Sequence, residues 1–231
     1  MSKIIGVTGP QGCGKGTTIS LIGEIFPNDQ IYIDDFKVSR WVQRDMGFET
    51  LAEATSTYSR MLEFQHNVLY KKIESLSQFK HLTSTFVLTE RTFADIYAYT
   101  DLWISKFALA GEVSEEQANI DSFKFMEECL INQKFLFSGQ VIIPFSNHIK
   151  FEEDPNRATL ADVDEFYDRV VDFNGELENF SMYMLNSKTP QDRATDIVAD
   201  YLPNLISGGE QIDFVRSCAI AALDAGWLSV E

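Results

Sequence analysis

Residues 4–18 read Ile-Ile-Gly-Val-Thr-Gly-Pro-Gln-Gly-Cys-Gly-Lys-Gly-Thr-Thr, and this stretch decides the fold. An apolar run of strand formers enters a glycine-rich loop that closes on Gly14-Lys15. Gly9 to Lys15 follows the phosphate-binding pattern of a glycine, four residues, then Gly-Lys. Gly9, Gly12 and Gly14 let the backbone curl until successive N–H groups face one centre. Such a nest, placed where a following helix presents its positive dipole end, suits a phosphate group. Lys15 then reaches the β and γ phosphates of a nucleotide, and a threonine hydroxyl just beyond it holds Mg²⁺. An amphipathic run (Ile19, Leu21, Ile22, Ile25, Phe26) supplies the expected helix. The nucleotide-binding set expected from this loop is Gly9, Gln11, Gly12, Cys13, Gly14, Lys15, Gly16, Thr17 and Thr18.

The residue after Lys15 is Gly16, where the common pattern has Ser or Thr. The Gly-Lys-Gly-Thr form resembles adenylate kinase, and that resemblance assigns the Mg²⁺ hydroxyl to Thr17, with Thr18 as the alternative.

The 231 residues suit one α/β domain with decoration, and a hydrophobic content of 45% is ample for a core. No stretch resembles a transmembrane span, and the chain opens on a strand, so neither a membrane partner nor a signal peptide is expected. Three cysteines make no paired framework and have no metal-ligand spacing, which favours a reducing, cytoplasmic setting. Cys13 inside the loop reads as a small residue at a permissive position. A formal charge of -16 gives little non-specific attraction to nucleic acid.

Five short β-rich runs alternate with helical stretches: Lys3–Thr8, Gln30–Ile33, Ser84–Thr89, Gln140–Phe145 and Phe180–Leu185. Their continuous apolar character fits strands covered on both faces, and the helices between them provide parallel crossovers. The expected architecture is a three-layer α/β/α sandwich on a five-stranded parallel sheet. Residues 1–206 form its domain, with a helical acceptor-binding insert at about 37–80 and a lid at about 146–160. Residues 207–231 read as a C-terminal helical extension. Ligands in such sheets sit at the carboxyl ends of the strands, so the residues following each strand carry the functional reading.

After the second run come Asp34-Asp35-Phe36, two carboxylates where an acceptor would approach a γ-phosphate. One of them is suited to orient an acceptor hydroxyl and take its proton. Lys37, Arg40 and Arg44 follow at spacing three and four, one face of a helix, and point to an acceptor that itself carries phosphate. After the third run come Glu90-Arg91. Arg91 can fork onto phosphate oxygens, and Glu90 can reach Mg²⁺ or its water shell.

Asp-Asp-Phe resembles the equivalent position of uridine and nicotinamide riboside kinases, where an aspartate serves as base. Arg91, Asp95, Ala98 and Tyr99 stand in the register of thymidylate kinases, and Glu90-Arg91 is similar to the Glu-Arg of deoxynucleoside kinases. Two departures, Glu90 for Asp and Asp95 for Ser, move the resemblance toward a broader group of P-loop nucleoside and nucleotide kinases, many phage-encoded. The resemblance covers roughly residues 1–205. It implies ATP and Mg²⁺ as cofactors, an Arg157 lid after Glu152-Glu153-Asp154-Pro155-Asn156, and adenine packing near Asn186–Pro190. It also implies an acceptor site built from Asp34, Asp35, Phe36, Lys37, Arg40, Arg44, Arg91, Asp95 and Tyr99. A homodimer is compatible with it, and host cytoplasm is the expected location for a phage-encoded member.

The expected activity is therefore transfer of the γ-phosphoryl group of ATP to a nucleoside or nucleoside monophosphate, a deoxynucleotide first. A hydroxymethylated base within phage DNA is the alternative acceptor. A nicotinamide riboside kinase-like enzyme and a non-catalytic nucleotide-binding regulator are further readings. GTPase chemistry fits poorly: the one Asp-x-x-Gly match, Asp172 to Gly175, lies beyond the fourth run, and no Asn-Lys-x-Asp occurs.

Overall fold

The computed structural model describes residues 2–26, 30–82, 84–144, 160–186, 189–206 and 209–226. Its centre is a five-stranded, all-parallel sheet in the order β2-β3-β1-β4-β5. The strands are β1 (Lys3–Thr8), β2 (Ile31–Asp34), β3 (Phe86–Glu90), β4 (Gly139–Ile142) and β5 (Met182–Met184). All five expected strands are present. β4 ends at Ile142, before the expected Phe145, and β5 is shortened to three residues, while β2 and β3 each end one residue later than expected and so carry Asp34 and Glu90 inside the ladder. Asp34 pairs with Thr89, and Val7 with Glu90.

The helices are α1 (Lys15–Ile25), α2 (Val38–Asp45), α3 (Leu51–Ala54), α4 (Tyr58–Gln78), α5 (Phe93–Leu109), α6 (Glu115–Leu136), α7 (Leu160–Gly175), α8 (Pro190–Asp196) and α9 (Gly209–Asp224). Their starts are written locally. Thr57, Ser114 and Thr189 cap α4, α6 and α8 by accepting from the backbone N–H three residues on. Thr92 and Asp95 close a reciprocal capping box on α5. Pro190 takes the first position of α8, where its missing N–H costs nothing.

Alternate strand residues feed two cores, which is the three-layer arrangement. Ile4 and Val87 face one layer with Val38, Phe64, Phe93 and Phe166 of the helices between β2 and β5. Ile5, Val7, Leu88 and Val141 face the other, with Ile19 and Ile22 of α1 and Ile197 beyond α8. The C-terminal helix α9 belongs to this second layer: Phe214 lies edge-on to Phe86 of β3, with ring centroids 5.1 Å apart. Among the described residues no helix is long and apolar enough to cross a membrane.

The order of the sheet positions the site. The chain leaves β1 across β3 to reach β2 and leaves β3 across β1 to reach β4, so the two connections diverge at the β1–β3 boundary. A crevice opens there at the carboxyl ends. The residues that follow β1 and β3 are Gly9–Lys15 and Arg91–Asp95, and β2 delivers Asp34 and Asp35 alongside.

Candidate functional site

The loop after β1 adopts a conformation that only its glycines tolerate well. Gly9, Gly12 and Gly14 have φ of 143°, 82° and 89°. Gly9 has a second constraint, since a side chain there would run into the Ile143 carbonyl. Three side chains from different elements hold the loop. Lys15 Nζ donates to the carbonyls of Gly9 (2.6 Å) and Pro10 (2.8 Å). Buried Arg193 of α8 donates from Nη1 to the Cys13 carbonyl at 2.5 Å. Asp95 Oδ1 accepts from Gly9 N at 3.3 Å. Two cations and the N-terminus of α1 thus converge on one turn of backbone, an electrostatic setting for an anion. Cys13 is fully buried, and burial pushes its thiol up, so it is an inert packing residue.

Glu90 lies against Gly16. Its carboxylate sits where a side chain on residue 16 would begin, so a Ser or Thr there would require the Glu90 side chain to swing aside. The other carboxylate oxygen accepts from Lys37 Nζ at 2.7 Å. Burial by itself would raise Glu90, but the Lys37 hydrogen bond and charge, with Lys15 and Arg91 nearby, outweigh it and hold the carboxyl below the usual range. Thr17 is exposed, whereas Thr18 is fully buried with its hydroxyl unpartnered among the described residues. Thr17 is therefore the accessible hydroxyl of the two. No cluster of three or more His, Cys, Asp or Glu able to hold a metal occurs among the described residues. One carboxylate and one hydroxyl suit Mg²⁺, which keeps several waters and takes its remaining ligands from phosphates.

The lowered Glu90 carboxyl has a pH signature. Its ion pair contributes to stability fully above the ordinary glutamate value of 4.5 and is lost as pH falls through the lower folded value. Urea unfolding across the acid range is expected to show this component in the parent protein and not in Glu90→Gln. Identical acid profiles for the two would remove the pair from the account.

The two aspartates after Ile33 part ways. Asp34 is buried, and its Oδ2 accepts from Thr89 Oγ1 at 2.6 Å and lies 3.6 Å from Lys72 Nζ. Its Oδ1 accepts from Phe36 N at 3.1 Å. Lys72, buried on α4, also donates to Thr89 Oγ1 (2.7 Å) and the Glu90 carbonyl (3.2 Å). Burial pulls the Lys72 ammonium below its usual range. Asp34 is thus occupied in holding the ends of β2 and β3 together. Asp35 is exposed and makes no hydrogen bond or ion pair among the described residues, which leaves it as the available carboxylate.

Arg91 is one of the few non-glycine residues in the left-handed region, with φ of 64°. Its N–H donates to the Val7 carbonyl at 3.0 Å, ending the ladder, and Thr92 immediately begins the capping box of α5. The sharp turn between these two demands swings the guanidinium over the Tyr99 ring, 5.2 Å from its centroid. Both face a cleft of about 610 Å³ between α2, α3, α4 and α5, whose lining includes Gln11 of the loop, Arg40, Gln65 and Trp103.

Several expected site residues are placed differently. Lys37, Arg40 and Arg44 do not form one stripe, because α2 begins at Val38 and Lys37 stands outside its first turn. Lys37 turns to Glu90, Arg40 lines the cleft, and Arg44 is exposed and does not line it. Asp95, expected beside the acceptor, is buried and spends both oxygens inward, on Gly9 N and on the N–H and hydroxyl of Thr92. Phe36 is partly buried against the core beneath α2. Arg157 and the acidic turn before it lie outside the described residues, as do Ser187 and Lys188 of the expected adenine loop.

Sequence reading missed Lys72 and Gln65. Both stand in the core-facing series of α4, with Met61, Phe64, Val68, Leu69 and Leu76. A polar residue in the apolar register of a helix was the available signal. Gln65 is 6% exposed and lines the cleft, and its side chain makes no hydrogen bond among the described residues. Compared with protein-family models and with curated proteins, the chain finds no match to either.

Proposed function

We propose that the protein is a P-loop phosphotransferase that moves the γ-phosphoryl group of ATP to a nucleoside or nucleoside monophosphate. The observation that carries this reading is the opening of one cleft, lined by Gln11, Arg91 and Arg40, directly beside the glycine-rich loop that Lys15 braces. A binding module has no need of a second polar cleft at the same strand ends.

In this reading, with a nucleoside as acceptor, Asp35 accepts the proton of its hydroxyl as that oxygen attacks the γ-phosphorus, whereas a monophosphate attacks through an already ionised phosphate oxygen. The bond from the γ-phosphorus to the bridging oxygen breaks, and its electron pair leaves on ADP. Lys15 and the loop N–H groups carry the donor phosphates. Arg91, supported by Tyr99, and Arg40 neutralise acceptor or transferring phosphate oxygens. Thr17 and Glu90 would hold Mg²⁺, which would supply charge neutralisation to the donor phosphates. Gln65 offers a donor and an acceptor to a flat, hydrogen-bonding acceptor group, with Tyr99 and Trp103 as apolar walls.

The test is label transfer from γ-labelled ATP to a panel of nucleosides, deoxynucleoside monophosphates, nicotinamide riboside and hydroxymethyluracil-containing DNA. Label on one small acceptor supports the reading and names its substrate. Label on DNA alone, or ADP release with no labelled acceptor, overturns it. With the acceptor in hand, Gln65→Leu is expected to raise its KM at least ~10-fold, the effect of one lost buried hydrogen bond, without changing KM for ATP. Equal KM values for acceptor in the two proteins would remove Gln65 from recognition.

A further inference from the structure

Lys72 is a buried charge for which neither packing nor stability accounts. It stands in the apolar series of α4 and is 1% exposed. Paired with Asp34, it gains little net stability over two apolar side chains of like volume, since taking both charges out of water offsets their attraction. It is not part of the cleft lining, although Gln65 and Val68, on the same face of α4, are. What an ammonium has and an apolar side chain lacks is a set of N–H donors. Two of them are directed at the end of β3, one to Thr89 Oγ1 at 2.7 Å and the other to the Glu90 carbonyl at 3.2 Å.

That carbonyl belongs to the peptide that enters Arg91. The N–H of the same peptide donates to the Val7 carbonyl at 3.0 Å, so its plane is held from both ends. The peptide that leaves Arg91 is held too, by Thr92 N on Asp95 Oδ2 at 2.7 Å. Between these two fixed planes the Arg91 backbone stands at φ of 64°, a region unfavourable for a residue with a Cβ. The Val7 contact closes the ladder and the Asp95 contact caps a helix, so each has a structural duty of its own. The Lys72 contact serves neither. Its effect falls on the turn at residue 91. A left-handed residue sends its side chain away from the line of the strand before it, and here the guanidinium lies over the Tyr99 ring and lines the cleft.

We propose that Lys72 is the positioning residue for Arg91: by pinning the Glu90–Arg91 peptide it holds residue 91 in the left-handed conformation and so sets the guanidinium in the cleft. Lys72 stands outside the cleft and acts only through Arg91. That this guanidinium meets an acceptor rests on the phosphotransferase reading; that Lys72 sets it there does not.

The backbone part is read by stability. In the parent protein, Arg91→Gly is expected to be more stable than Arg91→Ala by at least ~5-fold in the unfolding constant, because glycine accepts the left-handed region and alanine does not. In a protein carrying Lys72→Met with Asp34→Leu, the pin is gone and residue 91 relaxes. The preference should then vanish or reverse, since glycine has the greater chain entropy to lose. Should that background not fold, Lys72→Met with Asp34→Asn takes its place, because the amide oxygen still accepts from Thr89. A glycine preference of equal size in both backgrounds, or none in the parent, would overturn the proposal. The side-chain part is read by kinetics once the acceptor is known. Lys72→Met with Asp34→Leu should lower kcat/KM for the acceptor ~10-fold or more, leave KM for ATP unchanged, and add nothing to the loss caused by Arg91→Ala. Losses that add in full would overturn it. If the parent transfers no label to any acceptor, the phosphotransferase reading fails, and the stability cycle still decides for or against Lys72.

Discussion

Lys15→Ala is expected to yield a folded protein whose phosphoryl transfer falls about 10³-fold or more, the scale on which a positioned charge at the transferring group acts. The structure argues that folding survives. Lys15 is one of three supports of the loop, and the other two, Arg193 on the Cys13 carbonyl and Asp95 on Gly9 N, are buried and come from α8 and α5. Removing a half-exposed ammonium leaves them in place and takes a donor only from the Gly9 and Pro10 carbonyls and the Cys13 sulfur. The checks are the thermal midpoint, nucleotide affinity and turnover measured on the same preparation. An unchanged midpoint with lost turnover is the expected pattern. Normal turnover would end the reading of this loop as the catalytic phosphate site.

Substitution of the neighbouring aspartates is expected to give two different phenotypes. With a hydroxyl acceptor, Asp35→Asn is expected to keep stability and ATP affinity and lower kcat by about 10²-fold or more, since the proposed base is lost and the amide cannot take the proton. Asp34→Asn acts on the fold. It leaves the buried Lys72 ammonium facing a neutral group where it had a carboxylate 3.6 Å away. Breaking a buried pair from one side costs about 3 kcal/mol. Urea unfolding and steady-state kinetics on both variants separate the roles. Should Asp34→Asn lose turnover at full stability while Asp35→Asn stays active, the base is Asp34 and the Lys72 network is catalytic. Lys72→Met with Asp34→Leu, which removes both charges together, is a further check on the structural assignment. It should be far less destabilising than Asp34→Asn, because no charge is left buried alone.

That most candidate residues gather at one edge of the sheet was legible in the sequence because each follows an apolar strand. A parallel sheet collects its strand ends on one edge, so Gly9–Lys15, Asp34-Asp35 and Glu90-Arg91 had to lie near one another once the strands were recognised. What each residue does there was less legible. Glu90 and Gly16 are 74 positions apart, and only the fold brings the carboxylate against residue 16. Asp95 matched a kinase-type register and sits at the third helical position of a capping box, and the cap, joined to Gly9 N, uses its carboxylate completely. Lys37 and Arg40 were read as neighbours on a helix face, but the helix starts between them.

The sequence by itself determined the architecture: the number of strands, their parallel direction and the loop that interrupts the first crossover. Those follow from local chemistry, from apolar runs, caps and glycines, which act over a few residues. The tertiary structure alone decided which polar groups remain available. Asp34 and Asp35 are adjacent and chemically identical, and the difference between them is made by Lys72, 38 residues beyond Asp34, arriving from a helix in another layer. Burial and pairing depend on what packs from elsewhere, and a residue's own neighbours in the chain do not encode it.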